Sequence, residues 1–227
     1  MKTNIFGNDL PAVSITLDKG ESVYTQSGGM AWMDQGITMN TNLKGGLIKG
    51  IGRMFSGESL FMATYTSTMP HQEIVFASTF PGQIIELDLT PDRDWICQKS
   101  AFLVGEPSIN LSVEWTKRVS AGFFGGEGFI LQRLSGNGKV FLEAAGSVVK
   151  RELKSGEVIK VDTGNVVAFN RSVSYEIEMV KGFKNIFFGG EGLFLTKLTG
   201  PGTVYLQTLT MQNVASRLVP FIPTSSN

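Results

Sequence analysis

Phe123–Ala144 reads FFGGEGFILQRLSGNGKVFLEA, and the chain writes it again over Phe187–Thr208 as FFGGEGLFLTKLTGPGTVYLQT. The copies lie 187 − 123 = 64 residues apart, and about half of their aligned positions are identical. A fainter copy, MFSGESLFMATYTS, occupies Met54–Ser67. In the central copy, Asn137-Gly138 stands between two apolar runs, which is the strongest short signal for a β-hairpin. The last copy has Gly200-Pro201-Gly202 there, so a different turn chemistry serves the same position.

A second unit repeats between these copies. Ser155–Asp162 followed by Gly164–Phe169 matches Pro81–Asp88 before Trp95-Ile96, and Lys19–Tyr24 before Met30-Ala31-Trp32. Its acid, Glu21 or Glu157, is Gln83 in the middle copy, which fits a turn role better than one that needs charge. Short segments rich in β-branched and aromatic residues fill the rest, punctuated by glycine. They include Ala12–Leu17, Leu60–Tyr65, Glu73–Phe76, Trp95–Val104 and Ile109–Trp115.

The chain therefore reads as three β-modules over approximately 12–78, 79–144 and 145–208. Each is too small to bury a core alone, so they are expected to share one domain over 1–227. Leu209–Leu218 lacks glycine until Pro220 and reads as a short amphipathic helix, with a tail running to 227. The expected class is all-β, a sandwich, prism or β-helix with a pseudo-threefold arrangement.

Composition narrows the function. Lys and Arg (20) balance Asp and Glu (20), which removes the positive field of a protein that grips nucleic acid by its phosphates. Nucleic acid is not an expected partner. The one cysteine, Cys97, allows no internal disulfide, and its apolar neighbours imply a buried, inert thiol. The first residues carry no apolar secretory segment, and no stretch has the length of a bilayer span. The expected place is the bacterial cytoplasm, with peripheral membrane contact as an alternative.

Candidate sites follow from the repeats. Glu58, Glu127 and Glu191 hold the same place in the three Phe-Gly copies, and a threefold axis would let them converge on a hard cation or small ligand. The alternative is that each accepts backbone N–H groups of its own glycine turn. Residues 43–57 break the β-rhythm: Lys44, Lys49 and Arg53 stand among Leu47, Ile51 and Phe55. That mixture suits a packed loop, or contact with an anionic membrane or partner. It lacks the Lys-Ser/Thr of a phosphate loop. His71 is the one histidine, so a multi-histidine metal centre cannot be assembled; a Ser-His-Asp triad would need His71, and no GxSxG elbow accompanies it. No catalytic signature is present, so no enzyme activity and no cofactor are expected.

Gly45–Phe61 (GGLIKGIGRMFSGESLF), the paired FFGGEG blocks and Gly202–Gln207 resemble a family of uncharacterised bacterial proteins. Its eukaryotic branch is the mitochondrial family named for altered inheritance of mitochondria. The resemblance spans nearly the whole chain. It implies a TRAP-like fold, related to the trp RNA-binding attenuation protein: a short double-stranded β-helix-like sandwich, tripled within one chain. It further implies assembly into a symmetric oligomer, a trimer being favoured, and brings no known activity. The expected function is an oligomeric β-scaffold or binding module without catalysis of its own.

Overall fold

The computed structural model describes residues 1–26, 28–41, 62–114, 130–179 and 194–222. They are mostly β-strand, with one short helix near the C-terminus among them. The chain begins with β1 (Lys2–Phe6), β2 (Ala12–Leu17), β3 (Ser22–Gln26), β4 (Met30–Met33), β5 (Ile37–Thr41), β6 (Met62–Ser67) and β7 (Gln72–Ala77). It continues with β8 (Gly82–Leu89), β9 (Trp95–Gln98), β10 (Phe102–Gly105), β11 (Ile109–Glu114), β12 (Leu131–Gly136) and β13 (Gly138–Ala145). The last strands are β14 (Val148–Leu153), β15 (Val158–Asp162), β16 (Val166–Asn170), β17 (Ser174–Met179), β18 (Phe194–Thr199) and β19 (Gly202–Gln207). The run Trp95–Val104 is not one strand, because a 3-10 turn at Lys99–Ala101 divides it.

The described strands form four sheets, ordered β1-β2-β7-β4, β5-β6-β3-β10-β13-β8, β11-β12-β9-β16-β19-β14 and β15-β18-β17. Among the described residues, register shifts fall between Met30 and Trp32, between Phe102 and Val104, and between Val166 and Ala168. Such an extra residue bends and twists its strand and re-aims the side chains that follow.

The chain divides into two compact units. The first comprises Met1–Asp92, Ser100–Leu111 and Ser135–Glu143. Its core joins the four-stranded sheet, through Val13, Ile15, Leu17, Ile74 and Phe76, to the first six-stranded sheet, through Val23, Tyr65, Val104 and Phe141. The rings of Tyr65 and Phe76 meet edge to face at 5.8 Å, a geometry favoured by the aromatic quadrupole. The second unit comprises Arg93–Lys99, Ser112–Leu134 and Ala144–Asn227. Ile96, Leu131, Val166, Phe169, Leu198 and Val204 form its core, with Ile159, Val161 and Tyr175 packed against them. Residues 79–144 thus contribute strands to both units.

The helix α1 (Met211–Leu218) starts where the Thr210 hydroxyl accepts the Asn213 N–H at 3.1 Å, satisfying one of the orphan donors of its first turn. None of its residues is buried, and Met211 and Leu218 stay exposed, as do Val219, Phe221 and Ile222 beyond it.

The two hairpin turns read from the repeats are both present. Gly136 and Gly138 adopt φ of 120° and 147°, and the last copy uses a cis Gly200-Pro201 bond with Gly202 at 146°. A Cβ on Gly136 would stand 2.3 Å from the backbone oxygen of Ser108. Gly136→Ala combines that clash with an unfavourable φ and should destabilise the protein by about 2 kcal/mol or more, measured as a lowered urea midpoint. An unchanged midpoint would contradict the turn geometry.

Candidate functional site

Glu58, Glu127 and Glu191 lie outside the described residues, as do Lys44, Lys49, Ile51, Arg53 and Phe55. His71 is described, in the turn between β6 and β7, with φ of 55°. That left-handed region tolerates histidine better than most side chains. Its backbone N–H donates to Asp18 Oδ1 at 3.2 Å, and its Nδ1 lies 3.2 Å from the same oxygen. The ring is largely exposed. Among the described residues, no group of three or more His, Cys, Asp or Glu side chains could hold a metal ion.

The repeated acids act as turn clasps. Glu21 Oε2 accepts the Asp18 N–H at 2.9 Å, while the Glu21 N–H donates to the Asp18 carbonyl. Glu157 does the same with Lys154, at 3.0 Å. The Asp18 N–H, with the N-terminal ammonium beside it, holds the Glu21 carboxyl below its usual range. Gly20 and Gly156 precede these acids with φ of 86° and 76°, values that glycine adopts without steric cost.

What remains for function lies on the strand edges. Within the first six-stranded sheet β3 pairs with β10, Tyr24 facing Gly105. Within the second, β9 pairs with β16, and Cys97, Ile96 and Trp95 face Ala168, Phe169 and Asn170. These strands are almost wholly buried: β10 throughout, β9 apart from Gln98, and β16 apart from Asn170. Tyr24 is buried too, its hydroxyl donating to the Ile109 carbonyl at 2.9 Å.

By contrast β4 ends the first sheet and β15 ends the last. Trp32 on β4 is 53% exposed and Val158 on β15 46%, large apolar surfaces on strands beyond which the described sheets continue no further. Trp32 also meets Phe6 across the sheet, ring centroids 6.4 Å apart. The neighbouring face of β15 carries a charge ladder, Lys160 to Glu178 at 2.7 Å and Lys197 to Glu176 at 3.5 Å. The Lys160 ammonium, through that hydrogen bond, draws the Glu178 carboxyl below its usual range. Exposed strand edges recruit another strand by main-chain hydrogen bonds, with side chains setting which strand fits. No helix among the described residues is long and apolar enough to cross a membrane.

Residues 3–209 match the family described as mitochondrial biogenesis AIM24. The chain belongs to that family. A member from Streptococcus pyogenes serotype M6, itself uncharacterised, is 33% identical over 225 residues, covering 96% of this chain and 89% of its own. A crystal structure of a Streptococcus pyogenes protein, solved as a structural genomics target, is 30% identical with a TM-score of 0.81. That likeness covers 97% of this chain and 99% of the other. These AIM24 relatives bring no activity to assign.

The buried edge pairing also titrates. Cys97 is fully buried, and burial pushes its thiol up to about 12. An unfolded thiol ionises near 8.5. Above that pH the unfolded chain releases the proton first, so stability falls as pH rises from about 8.5 towards 12, by at most about 1.4 kcal/mol per pH unit. Burial, with a smaller contribution from the Glu114 charge, also pushes Tyr175 up to about 12, so its share of the loss begins nearer pH 10. Urea midpoints of Cys97→Ala should therefore decline less steeply between pH 8.5 and 10 than those of the unmodified chain. Parallel declines would contradict the burial of this thiol.

Proposed function

We propose that the chain is a non-catalytic, self-associating β-scaffold built from three TRAP-like modules with a pseudo-threefold arrangement. The observation that carries this reading is one strand plan recurring in the sheet orders. β2-β7-β4 with β3-β6-β5 is followed by β8-β13-β10 with β9-β12-β11, then by β14-β19-β16 with β15-β18-β17. The register shifts support it, because each falls in the third strand of a set, at Met30–Trp32, Phe102–Val104 and Val166–Ala168. The glutamate clasps at Glu21 and Glu157 support it as well.

Self-association is favoured by the apolar residues left exposed, Trp32, Met33 and Val158 among them. The chain's balanced charge opposes association only weakly. The reading places the protein in the cytoplasm and favours a trimer. Light scattering on the purified protein should give a mass of 3 × 24.7 kDa, about 74 kDa. A mass of 24.7 kDa at every concentration would refute the scaffold.

A further inference from the structure

Taking the chain as three copies of one module, the sheet orders show how each module is used by the next. The second strand of one set pairs with the third strand of the following set, β3 with β10 and β9 with β16. The two junctions share a register. Tyr24 lies opposite Thr64 and Ile96 opposite Arg133, equivalent places in β6 and β12, the fifth strands of their sets. Tyr24 faces Gly105 across one junction, and Ile96 faces Phe169 across the other. Gly105 and Phe169 are themselves equivalent, each lying one residue after its register shift, opposite Val140 and Val204.

One strand of each kind is left over. β4, the counterpart of β10 and β16, ends a sheet, and so does β15, the counterpart of β3 and β9. In these strands Met33 stands where Gly105 and Phe169 stand, opposite Ile74, and Lys160 stands where Tyr24 and Ile96 stand, opposite Lys197. The other outer strands differ in kind. β5, β11 and β17 are edges in all three sets alike, so nothing in the repeat gives them a partner.

We infer that β4 of one copy of this chain pairs antiparallel with β15 of a second copy, Met33 opposite Lys160 and Trp32 opposite Val161. The occupant is a second copy because the junction is the one the chain already makes twice within itself. The contact is head-to-tail, β4 of one copy against β15 of the next, and a finite assembly built on it closes as a ring. The pairing would cover Trp32 and Met33, which now stand exposed where the buried Val104, Ala168 and Phe169 stand in the other sets. Lys160 suits the seam through its stem: its ammonium is held by Glu178, and its methylenes can lie along Met33.

The inference rests on the scaffold reading, and one experiment separates the two. Met33→Cys and Lys160→Cys variants are unfolded together, refolded as a mixture and mildly oxidised; Trp32→Cys with Val161→Cys is a second pair. Adjacent cross-strand pairs alternate between wide and close spacing, so one of the two falls within disulfide reach. The buried Cys97 stays silent as background. The expected result is a covalent two-chain species from at least one mixture, none from either variant alone, and at least a tenfold loss with Met33→Cys and Val158→Cys, two residues out of register. An assembled mass without interchain linkage by either pair would overturn the inference and leave the scaffold standing. Linkage only within single chains of the Met33→Cys/Lys160→Cys double variant would overturn it in the same way. A monomeric mass would overturn both. As a second readout, Trp32→Lys changes a residue exposed in the single chain, so the strand signature in circular dichroism should be kept while the mass falls to that of one chain; an unchanged mass would count against the seam.

Discussion

Backbone hydrogen bonding across two strand pairs, β3 with β10 and β9 with β16, turns three-stranded half-sheets into six-stranded ones. A strand edge buried without partners would leave several N–H and C=O groups unsatisfied, each at a cost comparable to a lost hydrogen bond. Pairing removes that cost and lets Tyr24, Cys97, Val104 and Ala168 sit in the interior. The apolar cores of both units depend on it. Leu103 and Val104 reach the first core from β10, and Ile96, Val166 and Phe169 reach the second from β9 and β16.

The same backbone plan is met with different side chains, which separates what the fold requires from what it tolerates. A left-handed or cis turn is needed between β12 and β13 and between β18 and β19, and Gly136-Asn137-Gly138 or Gly200-Pro201-Gly202 supplies it. Between β6 and β7 the loop is longer, and His71 takes the positive φ. The lone histidine is thereby accounted for as a turn residue. At the junction, Tyr24 against Gly105 and Phe169 against Ile96 divide bulk in opposite ways over the same register, as volume-conserving exchanges do in a packed interior.

Much of this was legible in the residues. The Asn-Gly hairpin and the glycine-acid turns at Glu21 and Glu157 are local signals and stand where they were read. The middle copy of the glycine-acid unit does not: Gly82-Gln83 opens β8, which holds the place of β2 and β14 in the sheet orders, while β9 at Trp95 holds that of β3 and β15. The paired FFGGEG blocks lie outside the described residues. The C-terminal helix is two residues shorter at its start than Leu209–Leu218, because Thr210 caps it instead of entering it. Lys2–Phe6 and Val148–Leu153 gave little strand signal, since both are largely exposed outer strands, Val148–Leu153 with Lys150, Arg151 and Glu152 in sequence. Alternation is visible only where one face is buried. The partner of an edge is a long-range property, so nothing local in MAWM distinguishes it from the paired FLVG and VVAF. A tryptophan within a strand reads as core, and Trp32 stands exposed. The acids Glu58, Glu127 and Glu191 and the loop 43–57 fall outside the described residues, so the carboxylate and membrane expectations rest on the sequence alone.

The central claim is that one edge pairing is used twice within the chain and once more between chains. Hydrogen–deuterium exchange of the assembled protein tests it most directly, because it reads each strand's amides separately. The account predicts that the amides of β4 and β15 exchange as slowly as those of β3, β9, β10 and β16, and that diluting the assembly to single chains frees β4 and β15 alone. Fast exchange at β4 and β15 in the assembled protein, with the other four protected, would contradict it.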